Sequence, residues 1–252
     1  MKGVHRRTGI LRMLRDGVLD AEMLSETLDV SVSTIRRDLT RMAAEGLLLR
    51  TYGGAAPLGG TAPERSLVQR AGEKVAEKAA IARRAFSIIK AGEALILDAG
   101  TTTGALARLL PERTPLRVVT NGLTVIQVLA GVGDIELIAL GGMLRPLSGS
   151  FVGPHAEATM RRISAQRVFL GADGIVAGRG ICEATDAQAS LKSLMAAQAE
   201  EVYVLASADK LGHAASHAWT VLERPWTLIT DAAATEAQLA PFRDDGIRIL
   251  VA

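Results

Sequence analysis

From residue 94 onward, short apolar segments alternate with segments of helical periodicity, and this alternation restricts the possible folds more than any other feature of the chain. Strands are predicted at 94–98, 116–119, 135–140, 167–171, 202–206, 226–230 and 247–251. Helices are predicted near 103–110, 122–130, 186–199 and 235–242. Such alternation is typical of an α/β domain with a mainly parallel sheet, which binds its ligands at the C-terminal ends of the strands.

The N-terminal 57 residues have a different pattern, of three helices followed by a β segment. The helices are predicted over about 5–15, over a short stretch capped by Asp20, and over 32–44 with Ser31 as N-cap; Gly17 and Gly46 supply stops. A β segment over 47–52 precedes Gly53 and Gly54. We therefore predict a winged helix-turn-helix at 1–57, a linker and connecting helix (about 64–90) at 58–90, and an α/β effector-binding domain at 91–252.

The third predicted helix carries arginines and hydroxyl side chains on its polar face, as helices that enter the DNA major groove do. Ile35, Leu39 and Met42 recur at helical spacing and are expected to face the core. The candidate DNA-binding residues on this helix and in the wing are Ser31, Ser33, Thr34, Arg36, Arg37, Arg41 and Arg50. Pattern alone also allows a helical hairpin with a solvated basic face.

A glycine and three threonines follow the first strand of the larger domain at 100–103, and polar loops follow later strands at 120–122, 141–145, 171–174 and 207–210. Backbone amides and hydroxyls at such turns suit a phosphate, although a plain strand-to-helix turn has the same pattern. The candidate effector-binding residues are Asp98, Gly100, Thr101, Thr102, Thr103, Thr120, Asn121, Gly141, Gly142, Arg145, Asp173, Lys192 and Lys210.

Composition excludes little and favours an intracellular setting. The formal net charge of +2 is too small to indicate a polyanion partner, so local clustering must carry that argument. Cys182 is the single cysteine, which suits a reducing compartment and a structural role. The i, i+4 spacing of His213 and His217 can suit zinc, but no third ligand accompanies them. We expect a cytoplasmic protein without a membrane span, metal or cofactor.

The run VSVSTIRRDL at 30–39, with RTYGGA at 50–55, resembles the signature of the DeoR family of bacterial transcription regulators. The resemblance continues at 98–103 (DAGTTT), 119–121, 140–142, 151–153 and 230–231. It implies a sensor domain of the ribose-5-phosphate isomerase and CoA-transferase type, an effector that is a phosphorylated sugar or related intermediate, and an effector site at the loops named above. In this interpretation Asp38 orients neighbouring arginines rather than contacting DNA.

Two departures from the family pattern lie near the expected effector site. Many members have Glu four residues before the lysine of the helix that follows Gly180, where this chain has Gln188 before Lys192. Many also have Asp-x-Ser-Lys where this chain has Ser207, Ala208, Asp209 and Lys210. Both departures predict an effector that differs from those of better-known members.

We predict a DNA-binding transcription regulator, a repressor relieved by a phosphorylated metabolite, that acts on operator DNA as a homo-oligomer. The sequence does not decide whether the protein represses or activates transcription, or whether it forms a dimer or a tetramer. One alternative is a sugar-phosphate isomerase, but the Asp-Gly-Ala-Asp-Glu run of those enzymes is here Leu170 to Gly174, and their lysine-glycine loop is absent. No catalytic residue is predicted. Another alternative is a protein-interaction module that binds no sugar phosphate.

Overall fold

The computed structural model describes residues 3–15, 21–45, 47–50, 55–57, 64–214, 216, 218–223 and 225–252. The chain divides into two compact units, an N-terminal unit (Met1–Arg65) and a C-terminal unit (Ser66–Ala252). No helix among the described residues is both long enough and apolar enough to cross a membrane.

The N-terminal unit consists of three helices and an antiparallel strand pair. They are α1 (Gly3–Arg15), α2 (Ala21–Leu28), α3 (Val32–Ala44), β1 (Leu48–Arg50) and β2 (Ala55–Pro57). Their core includes the fully buried side chains of Ile10, Leu24, Ile35, Leu39 and Met42. This arrangement confirms the helix-turn-helix expectation. The predicted roles of Gly17, Asp20, Gly46, Gly53 and Gly54 lie outside the described residues.

The C-terminal unit is built on strands and helices that alternate along the chain. Its helices are α4 (Leu67–Ala71), α5 (Val75–Phe86), α6 (Thr101–Ala107), α7 (Leu123–Leu129), α8 (Pro154–Met160), α9 (Asp186–Ala197) and α10 (Glu236–Asp244). Its strands are β3 (Ala94–Leu97), β4 (Leu116–Thr120), β5 (Ile135–Ala139), β6 (Met143–Arg145), β7 (Ser150–Val152), β8 (Ala165–Gly171), β9 (Gly174–Val176), β10 (Gly180–Glu183), β11 (Ala199–Leu205), β12 (Ala218–Thr220), β13 (Trp226–Thr230) and β14 (Arg248–Val251).

Seven of these strands form one parallel sheet in the order β14-β13-β11-β8-β3-β4-β5. They are the strands that the apolar segments predicted. Hydrophobic clusters cover both faces: side chains of α5, α6 and α7 pack on one face, and those of α8, α9 and α10 on the other. Burial of both faces explains why these strands are continuous apolar runs rather than alternating ones.

The segment predicted as one connecting helix contains two helices, α4 and α5. Gly72 caps the end of α4, and Lys74 adopts a left-handed backbone conformation (φ 50°) that breaks the helical path before α5. The expected single helix over 64–90 is therefore wrong. In this segment Val75 is 60% exposed, whereas Ile81, Ala82, Ala85 and Ile89 are buried and pack against the sheet.

Several further elements were not predicted from the sequence. They are helix α8, the antiparallel hairpin β6–β7, and a small antiparallel sheet in the order β12-β10-β9. The hairpin occupies part of the predicted loop at 141–145. Its strands are three residues long, too short for a periodic pattern to stand out.

Candidate functional site

Helix α3 has one buried face and one exposed face. Ser31 caps its start by accepting a hydrogen bond from the Thr34 amide at 3.3 Å, as predicted. Ile35, Leu39 and Met42, at helical spacing, are fully buried in the core of the N-terminal unit. The opposite face consequently presents exposed Ser33, Arg36, Arg37 and Arg41. Thr34 is partly buried, and the side chain of Arg50 is outside the described part.

The arginines of α3 differ in their ion pairs. Arg36 contacts Glu22 of α2 at 3.3 Å, and Arg41 contacts Glu45 at 3.0 Å. Arg37 is exposed and has no ion pair with any described residue. A cation without a carboxylate neighbour loses no existing pair when it binds phosphate or a guanine edge. Among the arginines of α3, Arg37 is therefore the one that can bind an anionic partner without losing an ion pair with a described residue.

Asp38 has a structural partner on another helix. Its carboxylate pairs with Arg6 of α1 at 2.5 Å, and both side chains are largely buried. Asp38 thus ties α3 to α1 and faces away from the exposed arginine surface. The arginine that it orients is Arg6 rather than one of its neighbours in α3.

In the C-terminal unit, loops that follow strands of the parallel sheet meet around one cavity, called here the strand-end cavity. Loops after β3, β4, β8 and β11 contribute side chains to it, because parallel strands direct their C-terminal ends to the same edge. The predicted residues that line it are Asp98, Gly100, Thr101, Thr102, Thr103, Asn121, Asp173, Lys192 and Lys210.

Four of the predicted effector residues do not line this cavity. Thr120 is buried, and its hydroxyl accepts a hydrogen bond from the Gly122 amide at 2.9 Å. Gly142 has a φ of +120°, and a Cβ there would lie 2.6 Å from the Val152 carbonyl oxygen. Gly142 is thus required by the packing of the β6–β7 hairpin. Gly141 is exposed, and Arg145 lies on β6.

Lys192 of α9 is the centre of a buried ion cluster. Its Nζ lies 2.9 Å from Asp98 Oδ2, donates to the Gly171 carbonyl at 2.7 Å, and forms a very close pair with Glu183. Burial opposes the charged form, but the two carboxylates together raise the pKa of Lys192. One ammonium group therefore holds two carboxylates that are each almost inaccessible to solvent.

Glu183 supplies a carboxyl group beside Lys192, whereas the family resemblance predicts one at position 188. Burial raises the pKa of Glu183 to about 8 against the influence of Lys192, and Asp173 and Asp98 raise it further. Gln188, the departure from the family pattern, is buried, lines the cavity and accepts a hydrogen bond from the Thr185 hydroxyl at 2.9 Å. Lys192 therefore keeps two carboxylate partners although residue 188 is uncharged. Glu183 lines the cavity, and it was not predicted to do so because its strand, β10, was not predicted.

Asp98 and Asn121 shape the cavity through contacts with the chain itself. Asp98 Oδ2 accepts from the Gly171 amide at 3.0 Å. Asn121 accepts from the Ala99 amide at 2.8 Å and donates to the Phe151 carbonyl at 3.3 Å. These bonds fix the loop that carries the threonines, so both side chains position the site more than they extend into it.

Lys210 lies in a short 3₁₀-helix after β11 and is partly buried. Its Nζ donates to the Ala172 carbonyl at 2.5 Å and, among the described side chains, has no carboxylate within ion-pair distance. Burial lowers its pKa to about 8, and although Asp173 opposes this shift, Arg70 adds to it. The other departure, Ser207, is buried and lies beside the cavity rather than in its lining.

Arg70 lines the cavity and was not among the predicted residues. It belongs to α4 and forms an ion pair with Asp173 at 2.9 Å, with both side chains mostly buried. The cavity was predicted from residues that follow strands, and Arg70 was not predicted because it precedes every strand of the sheet. Ser148 and Ser150, from the β6–β7 hairpin, also line the cavity and were missed for a similar reason.

The remaining sequence candidates have simpler surroundings. Cys182 is buried on β10 and contacts the His213 carbonyl at 3.7 Å. His213 is exposed, and His217 lies outside the described residues. Within the described ranges, no group of three or more histidine, cysteine, aspartate or glutamate side chains is arranged to hold a metal ion.

Comparison with known proteins identifies both units. Residues 6–58 match the DeoR-like helix-turn-helix domain, and residues 73–232 match the DeoR C-terminal sensor domain. The putative aga operon transcriptional repressor of Escherichia coli O157:H7 is 32% identical over 98% of this chain and 93% of its own length. The glycerol-3-phosphate regulon repressor of Escherichia coli K12 is 38% identical over 69% of this chain and 68% of its own.

Among solved structures, ribose 5-phosphate isomerase A from Methanocaldococcus jannaschii aligns with a TM-score of 0.39 and 17% identity, over 53% of this chain and 52% of its own. A likeness this distant carries no argument about activity. The matching domains and relatives are those of regulators rather than enzymes, so the isomerase alternative is set aside. From the order of its two domains and its identity to regulators over nearly its whole length, this chain belongs to the DeoR family of transcription regulators.

Proposed function

We propose that this protein is a transcriptional repressor whose operator affinity is lowered by a phosphorylated sugar or related small metabolite bound in the strand-end cavity. The observation that carries the effector proposal is Lys210, a partly buried cation at the cavity with no carboxylate partner among the described residues. An anionic ligand supplies the missing counter-charge. A relative named as a glycerol-3-phosphate regulon repressor supports this ligand class.

The donors around Lys210 suit a phosphate group. Thr101, Thr102 and Thr103 line the cavity, although the Thr103 hydroxyl donates to the Gly100 carbonyl at 3.2 Å, and Arg70 adds a guanidinium. Arginine and lysine together provide a bidentate and a point-charge contact for phosphate oxygens. The carboxylates of Asp173 and Glu183 are acceptors for sugar hydroxyl groups. The lining thus has cations for one end of the ligand and acceptors for the other.

On the DNA side, we propose that the exposed face of α3 enters the major groove. Ser33, Thr34, Arg36, Arg37 and Arg41 are the proposed contacts, with Ser31 as helix cap, and Arg50 of the wing stays a prediction from sequence. Helix-turn-helix regulators read paired half-sites through symmetric oligomers, so we also propose a homo-oligomer that acts in the cytoplasm.

The experiment that tests this function combines operator binding with a ligand panel. A duplex selected by the protein from a random library serves as operator, and fluorescence anisotropy measures its affinity. We expect at least one of glycerol 3-phosphate, ribose 5-phosphate and related sugar phosphates to weaken operator binding. The unphosphorylated sugars are the matched controls. A panel that leaves operator affinity unchanged at saturation, or that raises it, contradicts the proposal.

The pH dependence of effector binding is a separate expectation. Lys210 has a pKa near 8 in the free protein, and a bound anion favours its charged form, so binding takes up a proton above that pH. Ionisation of Glu183 above a similar pH adds negative charge and acts in the same direction. Effector affinity should be nearly constant from about pH 6, where phosphate esters become dianions, to about pH 8, and fall by up to about tenfold per unit above.

Calorimetry at several pH values checks this expectation. Lys210→Gln should weaken effector binding. It should also reduce the fall in effector affinity per pH unit above pH 8, because the titrating cation is removed. Lys90→Gln, which changes an exposed lysine far from the cavity lining, should leave both unchanged. An identical slope in Lys210→Gln and the unmodified protein contradicts the assignment to Lys210.

A further inference from the structure

We propose that Arg70 is the contact that reports ligand occupancy to the rest of the chain: it leaves Asp173 for the anionic group of the effector and moves helix α4 as it does so. This inference rests on the proposed function and deepens it. Arg70 lies five positions after the boundary between the two units, at Arg65 and Ser66. A change in its position is therefore passed directly to the segment that leads to the helix-turn-helix.

Helix α4 is short and has no buried residue. It has five residues, and a helix this short has little stability of its own. The contacts that hold it include the Arg70–Asp173 ion pair at 2.9 Å and the bond from the Leu67 amide to the Leu147 carbonyl at 2.7 Å. Lys78 of α5 holds the end of α4 by donating to the carbonyls of Arg70 and Glu73.

The charges around Asp173 favour an exchange of partners. Asp173, Arg70 and Lys210 all line the cavity, and the Asp173 carboxylate also acts electrostatically on Lys210. A phosphate bound to Lys210 brings negative charge towards Asp173, which repels it, and towards Arg70, which attracts it. The guanidinium can bind a phosphate through two parallel hydrogen bonds, whereas its described hydrogen bond to Asp173 is made by Nη1 to one carboxylate oxygen. Ligand binding therefore competes for Arg70.

Two variants separate this role from a purely structural one. Arg70→Gln removes the cation that the ligand recruits, so sugar-phosphate affinity should fall by about ten- to hundredfold. Asp173→Asn removes the competing carboxylate and its repulsion, so inorganic phosphate, which has no sugar hydroxyl group for Asp173 to bind, should bind more tightly. If the Arg70–Asp173 pair only maintained the structure of the cavity, both variants would bind phosphate more weakly than the unmodified protein. Arg83→Gln, on the exposed side of α5, is the matched control and should change nothing.

Hydrogen exchange of the amides in 66–74 tests the contact without any ligand. Both Arg70→Gln and Asp173→Asn should accelerate exchange there, while Arg83→Gln should not. Addition of the sugar phosphate that weakens operator binding should accelerate the same amides in the unmodified protein. Unchanged exchange in Arg70→Gln overturns the proposal.

Operator binding gives the final measurement. In Arg70→Gln saturated with the sugar phosphate, the ratio of operator affinities with and without ligand should be about one, because coupling is lost. Arg70→Lys keeps the charge and should retain part of the coupling. If sugar phosphates bind the unmodified protein and Arg70→Gln keeps the full ratio of operator affinities, only the proposal about Arg70 is wrong and the proposed function stands. If none of them binds the unmodified protein, the proposed function is wrong, and the exchange at Arg70 with it.

Discussion

Replacing Lys192 with methionine is expected to destabilise the C-terminal unit by about 3–5 kcal/mol, the cost of removing one member of a buried charge cluster. Lys192 holds the carboxylates of Asp98 and Glu183, which are each 2% exposed. Without the ammonium group, neither carboxylate has an ion-pair partner among the described residues. Protonation of Glu183 relieves part of the repulsion, so the loss should be smaller at pH 6 than at pH 8.5.

Urea denaturation followed by tryptophan fluorescence measures this loss. The chain has two tryptophans, Trp219 and Trp226, and both belong to the C-terminal unit, so the signal reports that unit alone. Lys90→Met is the matched control on an exposed lysine and should have little effect. Adding Glu183→Gln to Lys192→Met should recover much of the lost stability. If Lys192→Met behaves like the Lys90 control, the cluster does not stabilise the unit.

Replacing Arg37 with alanine is expected to weaken operator binding by about 1–3 kcal/mol, or roughly five- to hundredfold in Kd. Arg36→Ala and Arg41→Ala should cost less, because each of those arginines must loosen a contact with Glu22 or Glu45 before it binds DNA. Glu22→Gln frees Arg36 and should strengthen binding slightly. The ranking follows from the ion pairs, since all three arginines are exposed on the same helix.

Anisotropy titrations at several salt concentrations test this ranking. If Arg37 contacts a phosphate, its loss should lower the slope of log affinity against log salt concentration by about one. If it contacts a base, its loss should relax the sequence preference at one position of the operator. Circular dichroism and effector binding are the controls, because Arg37 lies outside the core of the N-terminal unit and should affect neither. A larger loss from Arg36→Ala than from Arg37→Ala contradicts the ranking.

The cavity shows how far sequence reasoning extends. Asp98, the threonines at 101–103, Asp173 and Lys210 were predicted from one rule, that residues after parallel strands meet at one edge, and the cavity does bring them together. The same rule also selected Thr120, Gly142 and Arg145, which follow strands but serve the turn or belong to the hairpin. Position after a strand thus predicts the neighbourhood of a residue but not the direction of its side chain.

Local pattern determined the parts of this protein whose interactions are close in the chain or repeat along it. Ser31 and Thr34 form a cap within three residues, and the strands of the sheet are apolar because both faces are buried. Tertiary structure alone decided the pairing of Arg70 with Asp173, 103 positions apart, and the use of Glu183 as a partner for Lys192. A buried charge is stable only beside its counter-charge, and which two charges meet depends on how the whole sheet and its helices pack.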